Sequence, residues 1–415
     1  MDRREIEVDH HSAEFLENRF EEYAKLRREC PVAFNTAYGG FWMVTGYEGV
    51  QAVARDNDAF AHKFEPGAPD GIDYIGIIGV PRPSNRPKVG IAETDGPWHH
   101  ELRRALNPWF APQVVERSAP LMEAVSAWFV DQLIENGETD LVLDYTTPVP
   151  AVLTLRMMGL PCENWEHYAE FFHATSTHPP GSPEYMAAVG RAPEMRAELL
   201  EHAEARRRQP ADDLTSFLVQ LTLNGRSLTD EEIGNIMFNL VAGGLDTTTS
   251  LTSWAFHHLG THPAARQRLI DEPDLMPRAV EEFLRYYSPN ETLSRTAARD
   301  VELCGQQIKR GDRVLISWVS ANHDEAVFDH SDEIVVDREE NRHLAFGLGG
   351  HRCVGSHVAR AQSRVMLGEV LRRLPDYEID TARFTPYPAN GVMTGVASMP
   401  VTFSKGTRVG GQRPF

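Results

Sequence analysis

Apolar residues recur at helical spacing along most of the chain. The longest such run follows Leu228. Thr229-Asp230-Glu231-Glu232 has the form of a capping box, in which a hydroxyl and a carboxylate three residues apart serve free backbone N–H groups. Leu228 and Ile233 sit where a hydrophobic staple would, and the pattern continues to about Gly260, with Pro263 beyond. The spacing predicts a helix of roughly 30 residues, about 45 Å long. A second helix is predicted after Cys353, where Val354, Val358, Ala361 and Val365 recur and Pro375 stops the run. Strand patterns are few and short, at residues 41–45, 301–303 and 313–317. Early and late strands flank a helical middle, so the predicted class is mainly α with a minor β portion.

No linker, repeat or low-complexity block divides the chain, and 13–405 reads as a single domain. Residues 1–12 are charged and 406–415 are rich in Gly and Arg, so both ends are expected to be flexible. The stretch 66–97 is rich in Pro and Gly but carries Ile72, Tyr74, Ile75, Ile77, Ile78 and Val80, which marks a long functional loop rather than a spacer.

Charge narrows the function. Forty-one Lys and Arg against 60 Asp and Glu leave a net −19. That argues against a general nucleic-acid binder, which needs a basic face for phosphates, but permits a local basic patch for an acidic protein partner. Four cysteines, at 30, 162, 304 and 353, are too scattered for a disulfide framework and fit a reducing compartment. No leader pattern opens the chain and no apolar run reaches 18 residues. A cytoplasmic protein with no membrane attachment is expected.

Cys353 carries the chemistry. Gly347, Gly349, Gly350 and Gly355 surround it in a tight loop that leads straight into a helix. A thiolate at a helix N-terminus is favoured by free N–H groups and the helix dipole, so its pKa is expected to fall. Such a thiolate suits a nucleophile or an axial metal ligand; a buried structural cysteine is the plain alternative. In the middle of the long helix, Ala242-Gly243-Gly244-Leu245-Asp246-Thr247-Thr248 places two glycines that each cost about 1 kcal/mol relative to Ala. Close approach of a flat ligand or a locally opened helix would account for them. Asp246 and Thr247 add an acid and a hydroxyl, the makings of a proton relay.

The string from Phe346 to Gly355 has the form F-G-x-G-x-H-x-C-x-G and resembles the haem-thiolate signature of the cytochromes P-450. The resemblance spans roughly residues 90 to 400. It implies that fold, with haem b (iron protoporphyrin IX) held between the long central helix and the Cys-loop helix. Cys353 becomes the axial iron ligand, Phe346 packs by the haem on the sulfur side, and His351 reaches a propionate. Gly243 lets the haem approach, and Asp246 and Thr247 match the family's oxygen-activation segment. In Pro97-Trp98-His99 and onward, His99 and Arg103 lie four apart on one helix face and match the propionate pattern P-x-H-x-x-x-R; Arg295 matches a further propionate arginine. Glu282 and Arg285 form the family's E-x-x-R pair, with Arg338 as the partner, a structural lock for the cysteine loop. Two surface segments depart from the pattern, Asn322 to Glu325 and Asp329 to Asp332.

By the same resemblance the substrate pocket takes Ile75, Ile77, Ile78, Phe171, Phe172, Leu240, Val241, Asn290, Leu293 and Met393, which favours a hydrophobic small molecule. Arg82, Arg86 and Lys88 could pair with a substrate carboxylate, or could be solvated loop charges. The implied activity is a soluble bacterial-type monooxygenase that inserts one oxygen atom of dioxygen, with electrons from a separate ferredoxin and ferredoxin reductase. Arg352, with Arg103 or Arg104 nearby, would help the ferredoxin dock. Three alternatives stand beside it. These are a peroxide-driven or redox-neutral enzyme on the same haem, a non-catalytic haem protein that binds gas, and a haem-free hydrolase using Cys353 and His351.

Overall fold

The computed structural model describes residues 3–81, 88–178, 181–388 and 391–415. Six helices position the site: α1 (Gly96–Leu106), α2 (Pro148–Met158), α3 (Trp165–Thr177), α4 (Asp230–Thr261), α5 (Met276–Tyr287) and α6 (Ser356–Arg373). Helix α4 runs 32 residues. Its capping box is formed in both directions: Thr229 Oγ1 accepts from the Glu232 N–H at 3.2 Å, and Glu232 Oε2 accepts from the Thr229 N–H at 2.8 Å. The helix is buried on most of its circumference, and even its hydroxyl-rich stretch Thr248, Thr249, Ser250, Thr252 and Ser253 lies inside. Those hydroxyls are satisfied locally, as when Thr252 Oγ1 donates to the Thr248 carbonyl at 2.8 Å.

The minor β portion is a sheet of six strands: β1 (Glu5–Ile6), β2 (Val32–Asn35), β3 (Phe41–Val44), β4 (Phe60–Ala61), β5 (Thr292–Ala297) and β6 (Arg313–Ser317), in the order β1-β2-β3-β6-β5-β4. Strand β3 runs parallel to β6, with Trp42 beside Val314, and β5 is antiparallel to β6. The hairpin Val301–Leu303 with Gln306–Ile308 turns through Cys304 and Gly305, both at positive φ (48° and 77°), as a two-residue turn requires. The predicted helices and strands are thus present, whereas β1, β2, β4 and β5 are additional. β5 reads Thr-Leu-Ser-Arg-Thr-Ala, and its polar composition hides a strand that is almost wholly buried.

The largest core cluster runs from Ile91 to Phe403 and gathers the helices, while a smaller one lies beneath the sheet. Both ends, expected to be loose, make contacts. Glu5–Ile6 pairs with β2. Near the C-terminus the Val409 and Gly410 N–H groups each donate to Asp131 at 3.0 Å, and the Phe415 ring lies 5.8 Å from Phe129 at 13°. The chain's last apolar side chain finds an aromatic surface that its composition does not announce. Among the described residues no helix is long and apolar enough to cross a membrane.

Candidate active site

A cavity of about 310 Å³ lies between α4 and the start of α6. Gly243, Gly244, Thr247 and Thr248 line it from α4, and Phe346, Gly347, Cys353, Val354, Gly355 and Val358 from the opposite wall. The Cys353 N–H donates to the Phe346 carbonyl at 2.8 Å, which closes the loop on itself. Gly349 sits at φ +68°, where a Cβ would come 2.9 Å from the Ala54 carbonyl oxygen, so a side chain is excluded both by conformation and by space. Phe346 is covered on one side by Arg360, whose Cζ is 4.5 Å from the ring centroid.

The Cys353 sulfur opens onto the cavity but is surrounded by protein. Burial pushes its thiol pKa above the ordinary value, with Gly355 N–H and the cations Arg103, Arg352 and Arg360 pulling weakly the other way. Without a partner at the sulfur burial favours the neutral thiol, so a thiolate here calls for a cation bound on the cavity side, where Cys353 is exposed.

The two glycines of α4 divide their tasks. A Cβ on Gly244 would meet Thr154 Oγ1 at 2.5 Å, so this glycine lets α2 approach. A Cβ on Gly243 would meet nothing within 4 Å and would project where the helix faces the cavity. The helix does not open: Thr247 Oγ1 donates to the Gly243 carbonyl at 3.0 Å within a continuous helix.

One end of the cavity is polar. Arg295 is 3% exposed, and its Nε has no hydrogen-bond partner among the described residues; only one of its terminal nitrogens donates, to the Ser294 carbonyl at 2.7 Å. Burial pushes its pKa down to about 9. His99 Nδ1 and both ring nitrogens of His62 are likewise buried without hydrogen-bond partners, and Arg103 lines the same end, with its Nε donating to Asn107 Oδ1 at 2.8 Å. Burial keeps His62 well below its usual pKa and takes His99 to about 3, so both are neutral. Unmatched buried donors at this density call for an anion. The haem propionates are such an anion, the apolar walls suit the macrocycle, and Cys353 suits the iron, so the residues present fit the group that the loop signature implies.

His351 lines the same end of the cavity, beside His62 and His99. Its ring lies flat between His62 (3.6 Å between centroids, 12°) and His99 (3.9 Å, 14°), and its Nε2 lies 3.0 Å from Asp95 Oδ1. Asp95 Oδ2 also accepts the His62 and Lys63 N–H groups, at 2.9 and 2.8 Å. His351 thus ties the cysteine loop to the residue before α1. Among the described residues, His62, Asp95 and His351 form the one cluster with metal-ligand spacing.

Of the expected pocket residues, Ile77, Leu240, Asn290 and Leu293 line the cavity. Phe171, Phe172 and Val241 do not: they are core, at 1%, 1% and 0% exposure, with Phe171 and Phe172 edge to face. Neighbours on a helix point about 100° apart, so Leu240 can face the cavity only if Val241 turns away. Ile75 sits in a short strand beside β5, its N–H donating to Thr296 Oγ1 at 3.1 Å, and Ile78 and Met393 stand off the lining; Met393 instead bridges Asn290 through the backbone. Arg82 and Arg86 lie outside the described residues. Lys88 is half-buried and not among the lining residues. Sequence reasoning missed Ile91, Ala92, Asn239, His62 and Asp95. Ile91, Ala92 and Asp95 fall within the 66–97 loop, and Asn239 left a signal of its own, since 239, 243 and 247 form an i, i+4, i+8 stripe on α4.

Glu282 and Arg285 are both fully buried and doubly bonded, with Arg285 Nε 2.9 Å from Oε2 and its terminal nitrogen 2.8 Å from Oε1. Beside them, Glu281 pairs with Arg360 and with His343, three residues before Phe346.

A family model described as cytochrome P-450 matches residues 184–386. The mycinamicin IV hydroxylase/epoxidase of Micromonospora griseorubida is 32% identical over 362 residues, which cover 85% of this chain and 87% of that protein. The steroid C26-monooxygenase of Mycolicibacterium smegmatis is 32% identical over 78% of this chain and 81% of its own length. Among solved structures, a Bacillus megaterium protein in complex with testosterone superimposes with a TM-score of 0.82 at 26% identity, covering 93% of this chain and 98% of that one.

Proposed function

Because the chain belongs to the cytochrome P-450 family and is a haem-dependent monooxygenase, we propose that Cys353 holds the haem iron and that a bulky, largely apolar molecule is oxidised on the α4 side. The observation that carries this reading is the pairing, in one cavity, of a sulfur on one wall with the unsatisfied buried Arg295 Nε and His99 Nδ1 at the polar end. Bound there, haem supplies the redox chemistry of dioxygen, and a thiolate ligand favours O–O cleavage.

The chain's own residues divide the remaining work. Arg295, Arg103, His99 and His62 bind the propionates and fix the macrocycle's orientation. Ile77, Ile91, Leu240 and Leu293 exclude water and hold apolar surface, while Asn239 and Asn290 offer amides that can orient a substrate oxygen. The Thr247 hydroxyl, which donates to the Gly243 carbonyl, keeps its lone pairs available on the cavity side, and the neighbouring Asp246 carboxylate passes on the proton that replenishes it. The relatives that act on mycinamicin IV and on a steroid support a substrate of comparable bulk. Electrons would come from a separate ferredoxin and its reductase. Arg352 is exposed in the cysteine loop and Arg103 and Arg360 also act on its sulfur, a local excess of cations on a chain of net −19 that suits an acidic protein.

The test is the difference spectrum of the reduced, CO-bound protein. The red-shifted Soret band of thiolate-ligated haem is expected in the wild type and absent in Cys353→His. A wild-type band at the position of His-ligated haem would overturn the assignment of Cys353.

A further inference from the structure

Asp246 has no path to water of its own. Its side chain is 3% exposed, and its Oδ1 lies 2.6 Å from Nδ1 of His173 on α3, an ion pair whose N–H is not aligned on the oxygen and must turn toward it before a proton can pass. His173 is 21% exposed, so the imidazole stands between the carboxylate and solvent. Nδ1 also lies 3.2 Å from the Tyr387 hydroxyl, and Nε2 lies 3.2 Å from Oγ1 of Thr147, the residue before α2. Oxygen atoms therefore face both ring nitrogens, as an imidazolium with two donors requires. Burial works to lower the His173 pKa, and the Asp246 carboxylate overrides it, so that the ring titrates above its usual 6.5. Tyr387, the other titratable group facing the ring, is held well above its usual pKa by burial and by Asp246 and stays protonated.

We propose that His173 is the positioning and proton-relaying residue for Asp246, passing protons from water to the buried carboxylate and holding Oδ1 in place. This rests on the reading of Asp246 and Thr247 as the acid–alcohol pair. In each turn the Nδ1 proton moves to Asp246 Oδ1. The neutral ring then takes a proton from water, and once Asp246 has handed its proton on, the pair regains its starting charge. A purely structural clamp joining α3, α4 and the Tyr387 segment would need the hydrogen bonds but not the titration.

Two measurements separate these. The first reads the ring directly: histidine side chains of the reduced, CO-bound holoprotein, which is diamagnetic, are titrated by NMR in wild type and Asp246→Asn. The His173 pKa is expected above 6.5 in wild type and lower in the variant; equal values overturn the proposal. The second compares product formed per NAD(P)H consumed across pH in wild type, His173→Gln and Asp246→Asn. His173→Gln keeps a side chain that can hydrogen-bond but not titrate. It is expected to lower coupling on the order of 10-fold and to flatten its pH dependence. If Asp246→Asn uncouples while His173→Gln keeps the wild-type profile, the relay through His173 is wrong and the acid–alcohol reading survives. If Asp246→Asn itself stays coupled, the acid–alcohol reading falls and the relay with it.

Discussion

Arg338 reaches back across 56 residues to Glu282, placing its Nε 2.9 Å from Oε2. The same carboxylate holds Arg285 and accepts from Asn341 Nδ2 at 3.0 Å, so one buried anion gathers α5 and the segment that leads to the cysteine loop. Arg285 in turn donates to the carbonyls of Asn322, Ser331 and Glu333. Replacing one partner of a fully buried pair leaves the other charge stranded, at a cost of about 3–5 kcal/mol. Glu282→Gln and Arg285→Leu are expected to show that loss in denaturant unfolding, with Arg285→Leu the worse because three carbonyls are also orphaned. Arg338→Leu, at a less buried position, should cost less.

Gly243 and Gly244 are adjacent and should respond in opposite ways to alanine. Gly244→Ala drives a methyl group into Thr154 and is expected to destabilise by about 1–3 kcal/mol. Gly243→Ala meets no atom within 4 Å and improves helix propensity, a gain of up to about 1 kcal/mol in the haem-free protein. The same methyl intrudes on the cavity, so haem or substrate affinity should fall. Thermal unfolding of the haem-free protein and haem titration read the two effects separately.

Arg295 is a buried cation without an ion pair among the described residues, with only the field of the Asp95 carboxylate to offset its burial. Arg295→Met should therefore leave the haem-free protein as stable as the wild type or more so, since an unpaired buried charge costs several kcal/mol. Haem retention against a haem-scavenging protein should drop. A variant that loses stability and retains haem normally would contradict the assignment of this arginine to a propionate.

Stability toward acid should pass through Glu281. Burial opposes ionisation, yet Arg360 and His343 hold its carboxyl down at about 2. A depressed folded-state pKa contributes stability that is present above the unfolded value near 4.5 and is lost as pH falls toward about 2. The contribution is at most about 3 kcal/mol by linkage. Glu281→Gln is expected to flatten the decline of the denaturant midpoint between pH 4.5 and 2, which a pH series of unfolding curves measures.

The features legible in the sequence were those written in short spacings. The capping box at Thr229, the glycines around Cys353 and the Glu282–Arg285 interval are local, and local geometry follows from them. What escaped depends on rotation or on tertiary approach. No periodicity within 75–78 says that Ile77 alone lines the cavity, and Leu240 and Val241 are equally apolar but point apart. His62 and Asp95 belong to the polar end only because β4 and the start of α1 lie against His351. His173 is one polar residue on α3, and only the packing of α3 on α4 reveals its partner.

The sheet also sets an order of events during synthesis. Strand β3 lies beside β6, and Trp42 must wait for Val314 before that ladder can close. At about 5–20 residues per second a ribosome takes on the order of 15–50 s to cover that interval. Through that time the apolar strand Phe41–Val44 has only its β2 neighbour, with its other edge open, and in the finished protein it is wholly buried. Such an edge invites pairing with other chains. The nascent protein is thus most prone to aggregate before its last quarter emerges, and the yield of soluble enzyme should depend on holdase chaperones acting on the N-terminal 60 residues rather than on the haem site.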